Sequence, residues 1–375
     1  MVVKVAANKR LGIKDACNEL LQLTNPRIRF VAEVTGKLVA ACPGVQMGQL
    51  YYRQLENEKI SALRLSHGNF EARMTLSDLA KSDLKWWVIN IDSTSKPLSL
   101  GNPDFAIWTD ASDAGFGFSR PDISVTNGDT WKPDEAGMHI NVKEITAVWF
   151  ALKALCPHER DKHIKVFTDN MTTLAYIRDF GGSHSLQCNE VARKIWVWAR
   201  DRDLWISIAH VPGVDNVTAD RASRHFDHET EWMLDPDEFR NIMQHYPKFD
   251  IKLDLFASRK NYQLDRFISW KPDPDAEAVD AFTLNWGTET FYAFPPFSII
   301  SRVLQKIIQD KTSGILVVPD WPTQPWYATV RKLLIDKPHI IQARKHLLRI
   351  PGVDKLHPLW KRIKLLACPL SGSRC

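Results

Sequence analysis

The chain has 375 residues, 44% hydrophobic and 25% charged, a composition typical of globular proteins with room for two or three domains. No apolar run approaches the length of a membrane span, and the N-terminus lacks the apolar core of a signal peptide. We therefore expect an intracellular protein with no membrane partner, in either cytoplasm or nucleus. The six cysteines form no CxxC pair, which argues against a zinc site or a disulfide framework.

The modest net charge of +5 is unevenly distributed along the chain. Residues 1–100 carry a net +5 (14 basic against 9 acidic residues), and residues 331–375 carry +9 (11 against 2). The segment between them is acidic. Basic ends of this kind favour contact with a phosphate backbone; a solvated helix face is the alternative, and it suits the first segment better than the last.

Residues 1–103 are predicted to be a helical segment that ends in a linker. Helix-like apolar spacing and helix-forming residues recur in this part of the chain, and the stretch DSTSKPLSLGNP then breaks the pattern. The predicted helices cover 15–23, 28–39, 47–63 and 74–91.

From residue 104 the pattern changes to an alternation of strands and helices, which indicates an α/β domain over 104–226. FAIWT is predicted to be a strand with GFGFS as its hairpin partner, and the strands 164–168 and 204–211 follow. The predicted helices cover 142–155, 170–180, 187–202 and 216–224. In the third helix, Val191, Ile195 and Trp198 are expected on the buried face.

The rest of the chain divides into three predicted pieces. Residues 227–249 are expected to form a connector, 250–330 a second α/β domain, and 331–375 a basic helical tail. The second domain has strand-like stretches at 251–257, 291–297 and 314–321 and a helix at 299–310.

Four carboxylates occupy informative positions in the first α/β domain. Asp110 and Asp169 each end a predicted strand, Glu144 lies one turn into a helix, and Asp220 opens the last helix. Aspartates at the carboxyl ends of adjacent parallel strands are brought together at one rim of the sheet. Such a cluster tolerates its mutual repulsion when a divalent cation lies among the oxygens, and all-oxygen ligation selects Mg²⁺ or Mn²⁺. For each residue alone, a turn, cap or surface role remains the alternative.

The motifs WTDAS, KEITAV, FTDN and HVPGVDNVTADRASR, in this order over some 120 residues, resemble the RNase H domain of retroelement reverse transcriptases. The resemblance implies an RNase H-like mixed five-stranded sheet flanked by helices. It implies that the four carboxylates hold two Mg²⁺ ions, or Mn²⁺, and catalyse hydrolysis of the RNA strand of an RNA/DNA hybrid. Asp215 is a rival for the fourth position, and Asp220 is preferred because it lies in the Asn-x-x-Ala-Asp portion of the motif.

The same resemblance gives His210, about ten residues before Asp220, a role in positioning water or releasing product; a structural strand-end histidine is the alternative. Further candidates would contact the hybrid, each with a turn, cap or packing role as its alternative. They are Ser112, Asn141, Asn170, Arg193 and Lys194.

The flanking segments resemble a DIRS-type retrotransposon polyprotein fragment. Residues 28–91 are similar to a reverse-transcriptase thumb and connection, and no Asp-Asp pair of a polymerase is present, so the palm and fingers of the same polyprotein are the expected partner. Residues 250–327 are similar to a Dam-like adenine-N6-methyltransferase domain. Its motif is degenerate here, because Phe294 replaces the Asp or Asn that should precede Pro295-Pro296-Phe297. S-adenosylmethionine binding is therefore not expected.

Three alternatives to the nuclease remain at this stage. One is a catalytically inactive nucleic-acid-binding scaffold, the second is a DNA adenine-N6-methyltransferase, and the third is a structural piece that serves a separate polymerase.

Overall fold

The computed structural model describes residues 1–226, 232–351 and 355–374, and these form two compact units. The first unit comprises Met1–Trp149 and His158–Arg224, and the second comprises Phe150–Pro157 and His225–Cys375. Within the described residues, no helix combines the length and the apolar character that a bilayer span requires.

The first unit contains a helical N-terminal part followed by an α/β part. Its strands are β1 Val2–Val3, β2 Lys96–Pro97, β3 Phe105–Ala111, β4 Gly115–Arg120, β5 Val125–Thr130, β6 His163–Thr168 and β7 Trp205–His210. Its helices are α1 Ala7–Gln22, α2 Ile28–Ala41, α3 Arg53–Leu65, α4 Asp78–Asn90, α5 Pro133–Ala136, α6 Ile140–Leu155 (which runs on into the second unit), α7 Met171–Arg178, α8 Leu186–Arg200 and α9 Val217–Arg224.

The four helices predicted for the N-terminal segment are present as α1 to α4, with boundaries shifted by up to eight residues. The side chain of Ser77 accepts a hydrogen bond from Ala80 N and so caps α4, which begins later than the sequence pattern suggested. Leu84 and Trp87 on α4 and Leu20 on α1 are fully buried, so packing of apolar faces holds these helices together.

The central sheet of the first unit has five strands in the order β5-β4-β3-β6-β7. β3, β4 and β5 are antiparallel neighbours, whereas β6 and β7 run parallel to β3. This confirms the mixed five-stranded sheet flanked by helices that defines an RNase H-like fold. β5 was not predicted, because its sequence VTNGDT lacks the apolar alternation of a half-buried strand.

Helix α9 lies directly against the backbone of the hairpin β4–β5. A Cβ atom added to Gly117 would collide with backbone atoms of Ala219 and Ser223, and one added to Gly128 with the carbonyl oxygen of Ala222. The two glycines therefore permit a close approach that any larger residue would prevent.

The second unit is also α/β, as predicted. Its strands are β8 Met233–Leu234, β9 Leu253–Asp254, β10 Ile268–Ser269, β11 Ala278–Val279, β12 Phe291–Ala293, β13 Ser313–Pro319, β14 His339–Ile341, β15 Leu348–Arg349 and β16 Leu365–Ser371. Its remaining helices are α10 Pro236–His245, α11 Ile300–Asp310 and α12 Tyr327–Leu333. The main sheet has the order β14-β16-β13-β12-β9, with one apolar cluster on each face.

The prediction of a basic helical tail over 331–375 is wrong for the residues that the structure describes there. α12 ends at Leu333, and β14, β15 and β16 follow. β16 is buried along its whole length and pairs antiparallel with β13, because LLACPLS is an apolar run that fills an interior position of the sheet. The basic residues lie mainly in the segments between these elements.

Two smaller expectations also need correction. The predicted connector 227–249 contains α10, whose Phe239 and Ile242 belong to an apolar cluster of the second unit; residues 227–231 lie outside the described residues.

On α8 the fully buried tryptophan is Trp196, while Trp198 is half-buried. The buried residues of the helix are Cys188, Asn189, Ala192, Ile195, Trp196 and Ala199, so the buried face is rotated from the one predicted.

Candidate metal centre

Three of the four predicted carboxylates lie together. Asp110 near the end of β3, Glu144 in the second turn of α6 and Asp169 just after β6 each place one oxygen within 4.8 Å of the other two. Asp110 and Glu144 are buried, at 3% and 5% exposure, and Asp169 is half-buried.

The sheet register brings the two aspartates side by side. β3 and β6 are parallel with Trp108 opposite Phe167, so two residues further along Asp110 comes level with Asp169. Both side chains therefore leave the sheet at its carboxyl rim, where open α/β sheets bind ligands. The loop after β7 closes over this rim, since a Cβ on Gly213 would lie 3.1 Å from Asp169 Oδ2.

The cluster is electrostatically costly. Burial raises the pKa of Asp110 to about 6, with the charges of Asp169 and Asp220 adding to the rise. Burial also raises the pKa of Glu144 to about 9, and the neighbouring Asp110 and Asp169 contribute in the same direction. Buried Glu144 Oε2 accepts no hydrogen bond from any residue that the structure describes.

This donor set fits a divalent cation. The converging ligands are all carboxylate oxygens, which Mg²⁺ and Mn²⁺ prefer, and a buried oxygen without a hydrogen-bond donor is relieved by a metal ion. A cation would also reverse the repulsion that raises the pKa values of Asp110 and Glu144.

Asp220 lies on α9 at the edge of this cluster and is not among the three mutually close carboxylates found in the described residues. Its Oδ1 accepts a hydrogen bond of 2.7 Å from Arg224 Nε, and 42% of its side chain is exposed. Its charge reaches the cluster, because it contributes to the raised pKa of Asp110. The rival Asp215 is exposed on a single 3₁₀ turn before α9.

His210 ends β7 at the same rim of the sheet. It lies opposite Thr168 in the parallel ladder, one residue before Asp169, and its side chain is exposed. This position is compatible with contact to a substrate held at the carboxylates.

The predicted hybrid contacts divide into two groups. Ser112 is buried in the turn between β3 and β4, where its Oγ accepts hydrogen bonds from Ala114 N and Gly115 N. Asn170 caps α7 through Thr173 N and donates from Nδ2 to Asn141 Oδ1 at 3.0 Å. Of these three residues, Asn141 and Asn170 are half-buried beside Asp169, whereas Ser112 holds a turn.

Arg193 is engaged within the first unit. Its guanidinium binds both carboxylate oxygens of Asp83, at 2.5 and 3.0 Å, and donates to Leu50 O. Asp83 is 1% exposed, and burial raises its pKa to about 6 despite the pairing with Arg193. The adjacent Lys194 is exposed. Arg193 thus joins α8 to the helical segment, while Lys194 faces solvent.

Sequence reasoning missed two residues at the site. Ser223 donates a hydrogen bond of 2.6 Å to Asp110 Oδ2, and Asn216 Nδ2 donates to Thr109 O at 3.0 Å. The signal was present, because Asn216, Asp220 and Ser223 recur at helical spacing and so share one face of α9.

The residues that the sequence suggested as a degenerate methyltransferase motif follow β12 in the second unit. Phe294 packs at the edge of one apolar cluster, and Phe297 contacts both clusters and lies edge-on to Trp321 at 5.4 Å. Pro295 is buried and Pro296 is exposed. The two aromatic side chains therefore contribute to packing.

Comparisons with known proteins found weak similarity to several solved structures. A solved structure of RNase H1 from the halophilic archaeon Halobacterium salinarum NRC-1 is 19% identical, with a TM-score of 0.27, and the match covers 32% of this chain and 96% of that chain. The foamy viral protease-reverse transcriptase in complex with RNA/DNA hybrid is 11% identical, with a TM-score of 0.21, over 55% of this chain and 27% of that one. The native prototype foamy virus enzyme is 13% identical, with a TM-score of 0.21, over 54% and 28%.

The chain therefore spans less than a third of the length of these two viral enzymes. No protein-family model matches the sequence, and no curated protein matches it. At such low TM-scores the fold assignment rests on the strand order and directions of the sheet, and not on these neighbours.

Proposed function

We propose that the first unit is an RNase H-type endonuclease that hydrolyses the RNA strand of RNA/DNA hybrids. The observation that carries the proposal is the convergence of Asp110, Glu144 and Asp169 within 4.8 Å at the carboxyl rim of an RNase H-like sheet. Buried Glu144 Oε2, which has no donor among the described residues, supports a cation at this point.

In this proposal Asp110, Glu144, Asp169 and Asp220 would together hold two divalent cations. The cations, when bound, supply charge neutralisation at the scissile phosphate and a more acidic water. Exposed His210 lies at the same rim and would help to position water or to release the product. Half-buried Asn141 and Asn170, and exposed Lys194, would contact the sugar-phosphate backbones of the hybrid.

We further propose that the chain is part of a DIRS-type retrotransposon polyprotein. In that arrangement residues 1–103 are the thumb and connection of a reverse transcriptase, 104–226 the nuclease domain, and 250–330 a methyltransferase-like domain that has lost its chemistry. The contacts of Arg193 with Asp83 and Leu50 O support a nuclease that is packed against this helical segment. The palm and fingers of the same polyprotein are the proposed protein partner.

The test is cleavage of an end-labelled RNA/DNA hybrid with Mg²⁺ and with a chelator. We expect cutting of the RNA strand alone, and a loss of at least about a hundredfold in Asp110→Asn, because electrostatic stabilisation of the transition state depends on the bound charge. The matched control is Asp104→Asn at the opposite end of β3; the new amide oxygen can still accept the hydrogen bond from His163 N.

A second pair of variants tests which aspartate, Asp220 or Asp215, is the fourth carboxylate of the site. Asp220→Asn is expected to lower the rate strongly, whereas Asp215→Asn, on the exposed turn before α9, should leave it within about twofold. Equal losses in the two variants would contradict the assignment of Asp220. A well-folded wild-type chain that leaves the hybrid uncut would refute the nuclease and favour a nucleic-acid-binding scaffold.

A further inference from the structure

We propose that Ser223 is a positioning residue that fixes the carboxylate of Asp110 in the orientation needed to bind a cation. The inference rests on the proposed function of the first unit, and it adds a residue to the site that does not itself touch the metal or the substrate.

The contact between the two side chains is short and enclosed. Ser223 Oγ lies 2.6 Å from Asp110 Oδ2, Ser223 is fully buried, and Asp110 is 3% exposed. The same hydroxyl lies 2.8 Å from the carbonyl oxygen of Asp220, but it has a single proton to donate. The ionised carboxylate is the stronger acceptor, so the proton goes to Asp110.

Ser223 is in turn held by the hairpin turn that follows β3. Ser112 Oγ donates to the carbonyl oxygen of Ser223 at 2.7 Å, while the backbone N–H groups of Ala114 and Gly115 donate to Ser112 Oγ. A chain of hydrogen bonds thus leads from the backbone of the turn to Ser112, from Ser112 to Ser223, and from Ser223 to Asp110. In this arrangement Ser112 supports the site without meeting the hybrid.

The start of α9 is tied to the same strand. Asn216 is 1% exposed and donates from Nδ2 to the carbonyl oxygen of Thr109, the residue before Asp110. Between these two anchors, Gly117 and Gly128 let the helix backbone approach β4 and β5 closely. The helix is therefore fixed at both ends relative to two consecutive residues of β3, which leaves little freedom for the Ser223 hydroxyl.

This rigidity matters because Asp110 faces like charges. Without the hydrogen bond, repulsion from the charges of Asp169 and Asp220 favours rotation of the Asp110 carboxylate away from the cluster. A hydrogen-bond partner behind a metal ligand typically changes metal affinity by about 10- to 100-fold when it is removed. Ser223→Ala is therefore expected to weaken cation binding by about that factor.

The experiment is a calorimetric titration of the chelator-treated full chain with Mn²⁺, in the absence of any nucleic acid. We expect Ser223→Ala to raise the Kd by about 10- to 100-fold. Ser119→Ala is the matched control: Ser119 is a buried serine of β4 opposite Trp108, and its removal should leave the Kd unchanged. Equal affinity of the wild type and Ser223→Ala would overturn the proposal, and so would a wild type that binds no Mn²⁺.

A double-mutant cycle separates positioning from general destabilisation. If Ser223 acts through Asp110, then Ser223→Ala should change the Kd by less than about twofold in the Asp110→Asn background. An undiminished effect in that background would overturn the proposal. Hydrolysis of the hybrid is measured separately: a wild type that binds Mn²⁺ but cuts nothing refutes the nuclease, and the titration still decides the role of Ser223.

Discussion

Replacement of Asp110 by Asn is expected to stabilise the protein when divalent cations are removed. Asp110 is 3% exposed, and burial raises its pKa from 3.8 to about 6. Since each pKa unit corresponds to about 1.4 kcal/mol, the ionised carboxylate costs the folded state roughly 3 kcal/mol at neutral pH. Asn keeps an acceptor for Ser223 but loses a charge-assisted hydrogen bond, so the expected net gain is about 1–3 kcal/mol.

The pH dependence has a defined sign. A carboxyl group whose pKa is higher in the folded state binds its proton more tightly there, so its contribution to stability is complete below about pH 4 and is lost as the pH rises through about 6. The advantage of Asp110→Asn over the wild type should therefore be largest above about pH 7 and disappear near pH 4.

The assay is thermal unfolding in a chelating buffer at several pH values, with Asp104→Asn as the control. For a unit of this size, 1–3 kcal/mol corresponds to an increase in Tm of roughly 3–10 °C. Added Mg²⁺ should stabilise the wild type more than it stabilises Asp110→Asn, because a ligand raises the stability of the folded state more when it binds that state more tightly. An Asp110→Asn variant that is less stable than the wild type in chelator, or a difference that does not depend on pH, would refute the reasoning.

Three further substitutions test the internal packing of the protein, two in the first unit and one in the second. Arg193→Ala leaves the buried Asp83 carboxylate without its partner and should cost about 3 kcal/mol of unfolding free energy in chemical denaturation, whereas the exposed Lys194→Ala should cost almost nothing. Gly128→Ala should displace α9 and weaken Mn²⁺ binding in a titration, because its Cβ has no room. Tyr292→Phe should be neutral or slightly stabilising by thermal unfolding, since the buried hydroxyl has no hydrogen-bond partner among the described residues; a loss above about 1 kcal/mol would contradict this.

The carboxylate cluster was accessible to sequence reasoning because two of its members obey a simple rule. Asp110 and Asp169 each close an apolar strand, and parallel neighbours must bring such residues to one rim. Glu144 lies on α6, where Ile145 and Val148 are buried. The apolar residues next to Glu144 therefore indicate which face of the helix packs against the interior.

Strands β5 and β16 were not predicted because the local sequence in or before each of them does not favour a strand. β5 is polar and contains Gly128, and its strand state comes from pairing with β4. β16 was concealed by the basic residues that precede it, and its place between β13 and β14 depends on contacts distant in sequence. In both cases tertiary pairing outweighs local propensity.

Helix α9 shows how an eight-residue helix holds both the sheet and the candidate site. Asp220 follows Asn216, the residue before the helix, by four residues, and Ser223 and Arg224 follow Asp220 by three and four, so the four lie on one polar side. Ala219 and Ala222 bring the backbone against the glycines of β4 and β5. Asn216 and Ser223 are the buried members of this face, and a buried polar group is unfavourable unless it meets a partner. Asn216 and Ser223 meet backbone and carboxylate groups of β3, and Asp220 and Arg224 meet each other. These contacts hold Asp110 in a fixed position, and a metal site at this rim would require a fixed position of that carboxylate.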